Sequence, residues 1–275
     1  MRRTISALTT VATAIILALV TVFLPNLPAL TGPVVVSALV VLFAIAWPVT
    51  VSGTPRWGVS AGLAGTGLFA VWLVSLLPPT VQFSNRAIEL WLAPVGGAAA
   101  LGALIMFGIQ TFTMSAGLKR FLTTAMLSVG AVIAATAAGW ALLLRNKYEV
   151  AIGTFGVERI TGLTWLMLTV LAALAVAALA TLLPTRRRNR MIVAVVGATA
   201  VAIALQFFRT GPLSTPAVIA SAIVALIVAL ADTFSSNQEV PQTALEHPLT
   251  AVAVGSGATI VSGMVSYFVI HVLPW

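Results

Sequence analysis

Six carboxylates, two histidines and no cysteine are what 275 residues offer for carboxylate, imidazole and thiolate chemistry. The missing cysteines remove disulfides, thiolate catalysis and thiolate metal sites together. His247 and His271 are too few for a transition-metal cage, so neither a metal nor another cofactor is expected. Glu89, Glu149, Glu158, Asp232, Glu239 and Glu246 all fall at the ends of apolar runs or in the links between them. A carboxylate in the middle of such a run would mark a proton relay or cation path, because burying charge in hydrocarbon is costly. The paired aspartates that membrane prenyltransferases use to hold a metal are likewise missing. GVSAG, residues 58–62, fits a nucleophile pattern but opens an apolar helix instead of a strand-to-helix turn, and reads better as small-residue packing. An enzymatic role is not favoured.

What remains is recognition chemistry. Glu89, Glu158, Gln206, Arg209 and His271 sit at run ends that strict alternation places on one side. Brought together, they would line an outer vestibule for a zwitterionic or anionic head group, with Arg209 as the fork that grips carboxylate or phosphate. Within the runs, Ser60, Thr66, Gln110, Ser256 and Ser262 would give a solute site polar but uncharged walls. Arg186, Arg187, Arg188 and Arg190 form a basic knot too short for nucleic acid, and no nucleic-acid partner is expected. They read as a turn on the membrane surface in contact with anionic lipid head groups.

The elements that must position these residues follow from composition. With 60% hydrophobic and 7% charged residues, the chain lacks the polar surface of a water-soluble globule. Apolar runs near 5–24, 33–52, 57–77, 88–112, 120–144, 160–183, 191–209, 214–232 and 250–272 are each long enough to cross a bilayer as a helix. Their continuous apolar character excludes the alternation of a membrane barrel. The predicted fold is therefore an all-α integral membrane protein, a polytopic bundle of about nine transmembrane helices forming a single domain over 1–275, with no soluble domain. Pro48 and the link after it leave open one broken helix in place of the second and third spans. The seventh and eighth, joined by RTGPL, share that ambiguity, so eight spans plus a re-entrant hairpin is the competing layout. Pro94 is expected to kink the fourth span. The link 146–159 is expected to hold a turn of interfacial helix or a re-entrant piece, and Thr243 with Glu246 has capping-box spacing.

Charge gives the orientation. The basic start followed by an apolar run resembles a secretory leader, but without a small-x-small cleavage site it is expected to stay as the first span. Arg2, Arg3, Arg56, Lys119, Arg120 and the four arginines of TRRRNR make nine on one side, against five in Arg86, Arg145, Lys147, Arg159 and Arg209. The excess predicts a cytoplasmic N-terminus and an outer C-terminus. Trp91, Trp140, Trp165 and Trp275 would belong to an outer aromatic belt, Trp47 and Trp57 to an inner one. Aligning Pro33 with Pro216 and Pro78 with Pro274 suggests a weak repeat of spans one to three as spans seven to nine.

The layout resembles bacterial inner-membrane permeases in a generic way over the whole chain, without a specific motif. The function expected is a permease or exporter of a small organic or amphipathic solute. The alternative is a non-catalytic membrane subunit or scaffold of a cell-envelope assembly or transport complex. Expected partners are membrane lipids and a partner membrane protein or a second copy of the chain.

Overall fold

The computed structural model describes the backbone of residues 2–28, 30–76, 87–113, 118–152, 157–208, 214–235 and 247–272. Within these, side chains are described except for Pro25, 87–92, Thr113, 118–120, 146–152, 157–161 and 234–235. The helices are α1 (Arg2–Phe23), α2 (Thr31–Ser52), α3 (Trp57–Leu76), α4 (Ala87–Thr113), α5 (Leu118–Thr136), α6 (Ala138–Ile152), α7 (Val157–Ala180), α8 (Arg187–Phe207), α9 (Thr215–Ser235) and α10 (Pro248–Val272). Among the described residues nine runs are long and apolar enough to span a membrane, with α5 and α6 sharing one of them. Only helices, or a closed barrel, satisfy every backbone N–H and C=O in hydrocarbon, and this membrane protein is a helical bundle throughout its described length.

Pro48 does not break its span. It lies inside α2, which ends instead at Gly53 (φ 73°), whose N–H closes on Val49 O at 2.8 Å. The left-handed cap suits glycine best among ordinary residues and makes α2 and α3 two clean helices. Likewise α8 and α9 are separate helices, and α4 continues through Pro94. The fifth span departs from expectation. It is interrupted at Ala137, where Ala137 N bonds Ala134 O at 3.2 Å and Trp140 N bonds Ala137 O at 3.1 Å, tighter three-residue turns in place of the α-helical ladder. The second half, α6, runs on to Ile152, so much of the link expected after it is helix. Thr243 and Glu246 lie outside the described residues. α10 starts at Pro248, with His247 Nδ1 accepting from Leu249 N at 3.2 Å.

α10 is the central helix: 83% of its apolar window is buried, the highest share of any span. One group of helices, α1, α7, α8 and α9, packs together on one side of it, and a second, α2 to α6, on the other. Glycines let both groups approach closely. A Cβ on Gly255 would meet Ser6 O of α1 at 2.6 Å, and one on Gly257 would meet Phe43 Cε2 of α2 at 3.1 Å. Hydrogen bonds tie α10 to each group near mid-membrane. Thr13 and Thr259 hydroxyls lie 2.8 Å apart, and Trp140 Nε1 donates to Thr259 O at 2.6 Å. Trp140 is thus fully buried against α10 and belongs to no aromatic belt; Trp47 is buried as well, whereas Trp57 is exposed as a belt residue should be. The triplets aligned as a repeat pack differently, since α8 lies along α9 while α1 touches α2 at few points.

Candidate functional site

The two groups of helices are separated by fissures. α5 and α9 both pack on α10 without lying along each other, and between them opens a groove of about 290 Å³. Trp47 of α2, Met126, Val129 and Ile133 of α5, Leu230 and Ala231 of α9, and Val254 and Gly257 of α10 are among its walls. The groove lies in the half of the bundle nearer the start of α1. A second groove, about 240 Å³, lies between α1 and α2, lined by Thr13, Ile16, Leu17, Val35, Ala38, Leu39 and Leu42. At ~1.5 Å per residue those positions lie from mid-membrane toward the opposite face.

The first groove is dry by construction. Its only side-chain N–H, Trp47 Nε1, donates to Met126 O at 3.1 Å, and the indole packs on Phe43 with ring centroids 5.2 Å apart. Water in a cavity needs about two to four polar partners, which these walls do not offer. Hydrocarbon fits the lining; an ion or sugar does not.

Ala231, Val254 and Ala258 form the shared wall between this groove and a small polar pit that holds Arg3, Thr10, Thr181 and Asp232. Here the charged residues of three helices meet. Asp232 Oδ1 is 3.4 Å from Arg3 Nε, and Oδ2 is 3.5 Å from Arg190 Nε. Arg190 is only 7% exposed, and its Nη1 also donates to Thr185 O at 2.6 Å. Arg190 is therefore turned into the bundle, unlike Arg186, Arg187 and Arg188, which are exposed. It stands in the first turn of α8, where the helix dipole disfavours a cation, and Asp232 from the end of α9 supplies the missing negative charge. Arg187, on the outside of the same turn, donates from Nε to Thr233 Oγ1 at 3.2 Å.

The contacts of these side chains also fix which helix ends share a face. The starts of α1 and α8 meet the end of α9 at Asp232, and Arg56 before α3 reaches Gln110 near the end of α4 (Nη1 to Oε1, 3.5 Å). At the opposite face Arg145 of α6 donates to Val74 O and Ser75 O at the end of α3, at 2.7 and 3.0 Å. Adjacent spans therefore alternate in direction.

Among the described residues, those expected to line a solute site do not come together. Gln206, 3% exposed, donates to Thr169 Oγ1 at 3.1 Å and accepts from Ser214 N at 3.3 Å, so its amide locks α8 to α7 and to the start of α9. Ser256, Ser262 and Thr66 donate back to Val252 O, Thr259 O and Gly62 O within their own helices, at 2.7, 2.6 and 2.8 Å. Ser60 is buried in α3. Gln110 is fully buried at one face, while His271, bonded to Tyr267 O at 2.7 Å and packed at a tilt against its ring, is at the other. None of Gln110, Gln206, Ser256, Ser262 or His271 lines the grooves or the pit. Arg209 and the side chains of Glu89 and Glu158 lie outside the described residues.

Asp232 and Arg3 were invisible as site residues because each sits at a span end, where charge is ordinary. A signal for Arg190 does exist in the sequence. Arg190, Ala194, Ala198, Ala202 and Gln206 recur every four residues and are the buried stripe of α8. One arginine in phase with three alanines points inward, whatever its basic neighbours do.

Comparison with known proteins adds no relative: no family model, curated protein or solved structure gives a significant match to the chain.

Proposed function

We propose that the protein is a permease or exporter of an amphipathic small molecule, which enters the bundle sideways from the lipid through the α5–α9 groove. The groove itself carries this reading: it is apolar, open along its flank, and shares a wall with a charged pit. The fissures on either side of α10, displaced toward opposite faces, are what two helix groups rocking about a central helix would require. In this reading the protein sits in a bacterial inner membrane, and the lysine and arginine excess supports a cytoplasmic N-terminus, with the charged pit on the cytoplasmic side.

Purified protein in neutral-lipid vesicles is expected to move a fluorescent single-chain amphiphile across the bilayer faster than protein-free vesicles do. Ala231→Phe, which fills the groove, is expected to slow that flux by about tenfold, a barrier change of ~1.4 kcal/mol, with the helical spectrum unchanged. Flux equal to that of protein-free vesicles would remove the proposal.

A second reading, a membrane subunit of a larger complex, is favoured by one observation. Gly96, Gly97 and Gly108 of α4 and Gly58 and Gly65 of α3 have nothing within 4 Å of an added Cβ, unlike the packed glycines of α10. Open small-residue surface in a membrane suits close contact with a partner helix. A second protein retained in constant ratio through purification in mild detergent would select this reading.

A further inference from the structure

We infer that the α5–α9 groove and the Arg3–Asp232–Arg190 pit form one binding site for an anionic phospholipid, with an acyl chain in the groove and the phosphate at the pit. The inference rests on the proposed role of the groove as the entry for an amphiphile, and it names the head group. Three observations carry it. Ala231, Val254 and Ala258 line both cavities, so an acyl chain in the groove lies directly beside a head group at the pit. Among the described residues the charge at this end is unbalanced: Arg2, Arg3, Arg187 and Arg190 lie near one carboxylate, Asp232. Donors are also left over. Arg2 Nε and Nη2 are buried without a hydrogen-bond partner, and Arg190 Nε is held at ion-pair distance from Asp232 but makes no hydrogen bond.

Buried guanidinium donors left unmet are costly, and a phosphate supplies the acceptors that match their planar fork. The pit now has room of about 10 Å³, no more than a water occupies, so a phosphate oxygen must take the place of an Asp232 oxygen. Asp232 then acts as a stand-in anion that keeps the arginines paired when no lipid is present. The sign of its effect is opposite to that of a ligand: removing it strengthens lipid binding, whereas removing Arg190 weakens it.

The test uses the full chain in neutral detergent with phosphatidylglycerol or phosphatidylcholine of identical chains, reading retained lipid by native mass spectrometry. Phosphatidylglycerol is expected to bind about tenfold or more tightly than phosphatidylcholine, the scale of one charge-assisted contact. Arg190→Gln should cut that preference to about threefold or less, Asp232→Asn should raise it, and Ala231→Phe should weaken both lipids alike. Equal retention of the two lipids, or a preference that Arg190→Gln leaves intact, would mean annular lipid only and overturn the site. If Asp232→Asn does not fold, the other two variants still decide. Head-group-selective binding without flux in vesicles would defeat the transport proposal and leave this site standing; flux with equal retention of the two lipids would do the reverse.

Discussion

Asp232→Ala is expected to cost the fold about 3–5 kcal/mol, the loss found when one partner of a buried ion pair is removed. The main cause is Arg190, whose side chain is 8% exposed and cannot reach water when its carboxylate is gone. Arg3, 43% exposed, contributes little, and Arg3→Ala should cost no more than about 1 kcal/mol because solvent screens it. Denaturant titration in mild detergent, followed by tryptophan fluorescence, measures both. The pair as a whole is not expected to be a large source of stability. Replacing Arg190 with Met and Asp232 with Leu together should be close to neutral, since desolvating two charges roughly cancels their attraction. A double variant as unstable as Asp232→Ala would show that the cluster holds α1, α8 and α9 together by more than charge.

The second large effect concerns the seam between α6 and α10. A Cβ on Gly139 would run into the backbone of Met264 and lie 2.6 Å from the carbonyl carbon of Gly263. Backbone cannot rotate aside as a side chain can, so Gly139→Ala should lose about 3 kcal/mol, the upper end for overpacking. Gly97→Ala is the matched control. Nothing lies within 4 Å of its added methyl, and the better helix propensity of alanine should raise stability by up to about 1 kcal/mol. Equal effects at the two positions would contradict the central packing of α10.

These positions also show what the sequence could and could not reveal. The spans were legible because a membrane demands about twenty consecutive apolar residues per crossing, and little else satisfies the backbone there. The left-handed Gly53, not Pro48, separates the second and third spans because a proline is tolerated when neighbouring packing holds the helix. The interruption at Ala137 had no local signal, since Thr136, Ala137, Ala138 and Gly139 read as ordinary small helix residues. It arises where α6 closes onto α10, a contact more than a hundred residues away in sequence. Among the polar residues, Ser256, Ser262 and Gln206 looked like binding groups because sequence shows which atoms can bond but not where their bonds go. In the bundle they are used within helices and between neighbours. The four arginines of TRRRNR were read together as a surface turn, and only helical phase separates Arg190, turned to Asp232, from exposed Arg186 and Arg188.

The central claim is that an amphiphile passes through the opening between α5 and α9. The chain has no cysteine, so two can be introduced cleanly, replacing Val129 on α5 and Leu230 on α9, which both line the groove and are about half exposed. Joining them with a short, reducible bifunctional thiol reagent pins the groove shut. Flux of the amphiphile in vesicles should then fall to the level of protein-free vesicles and return on reduction. Undiminished flux through fully cross-linked protein would contradict the claim.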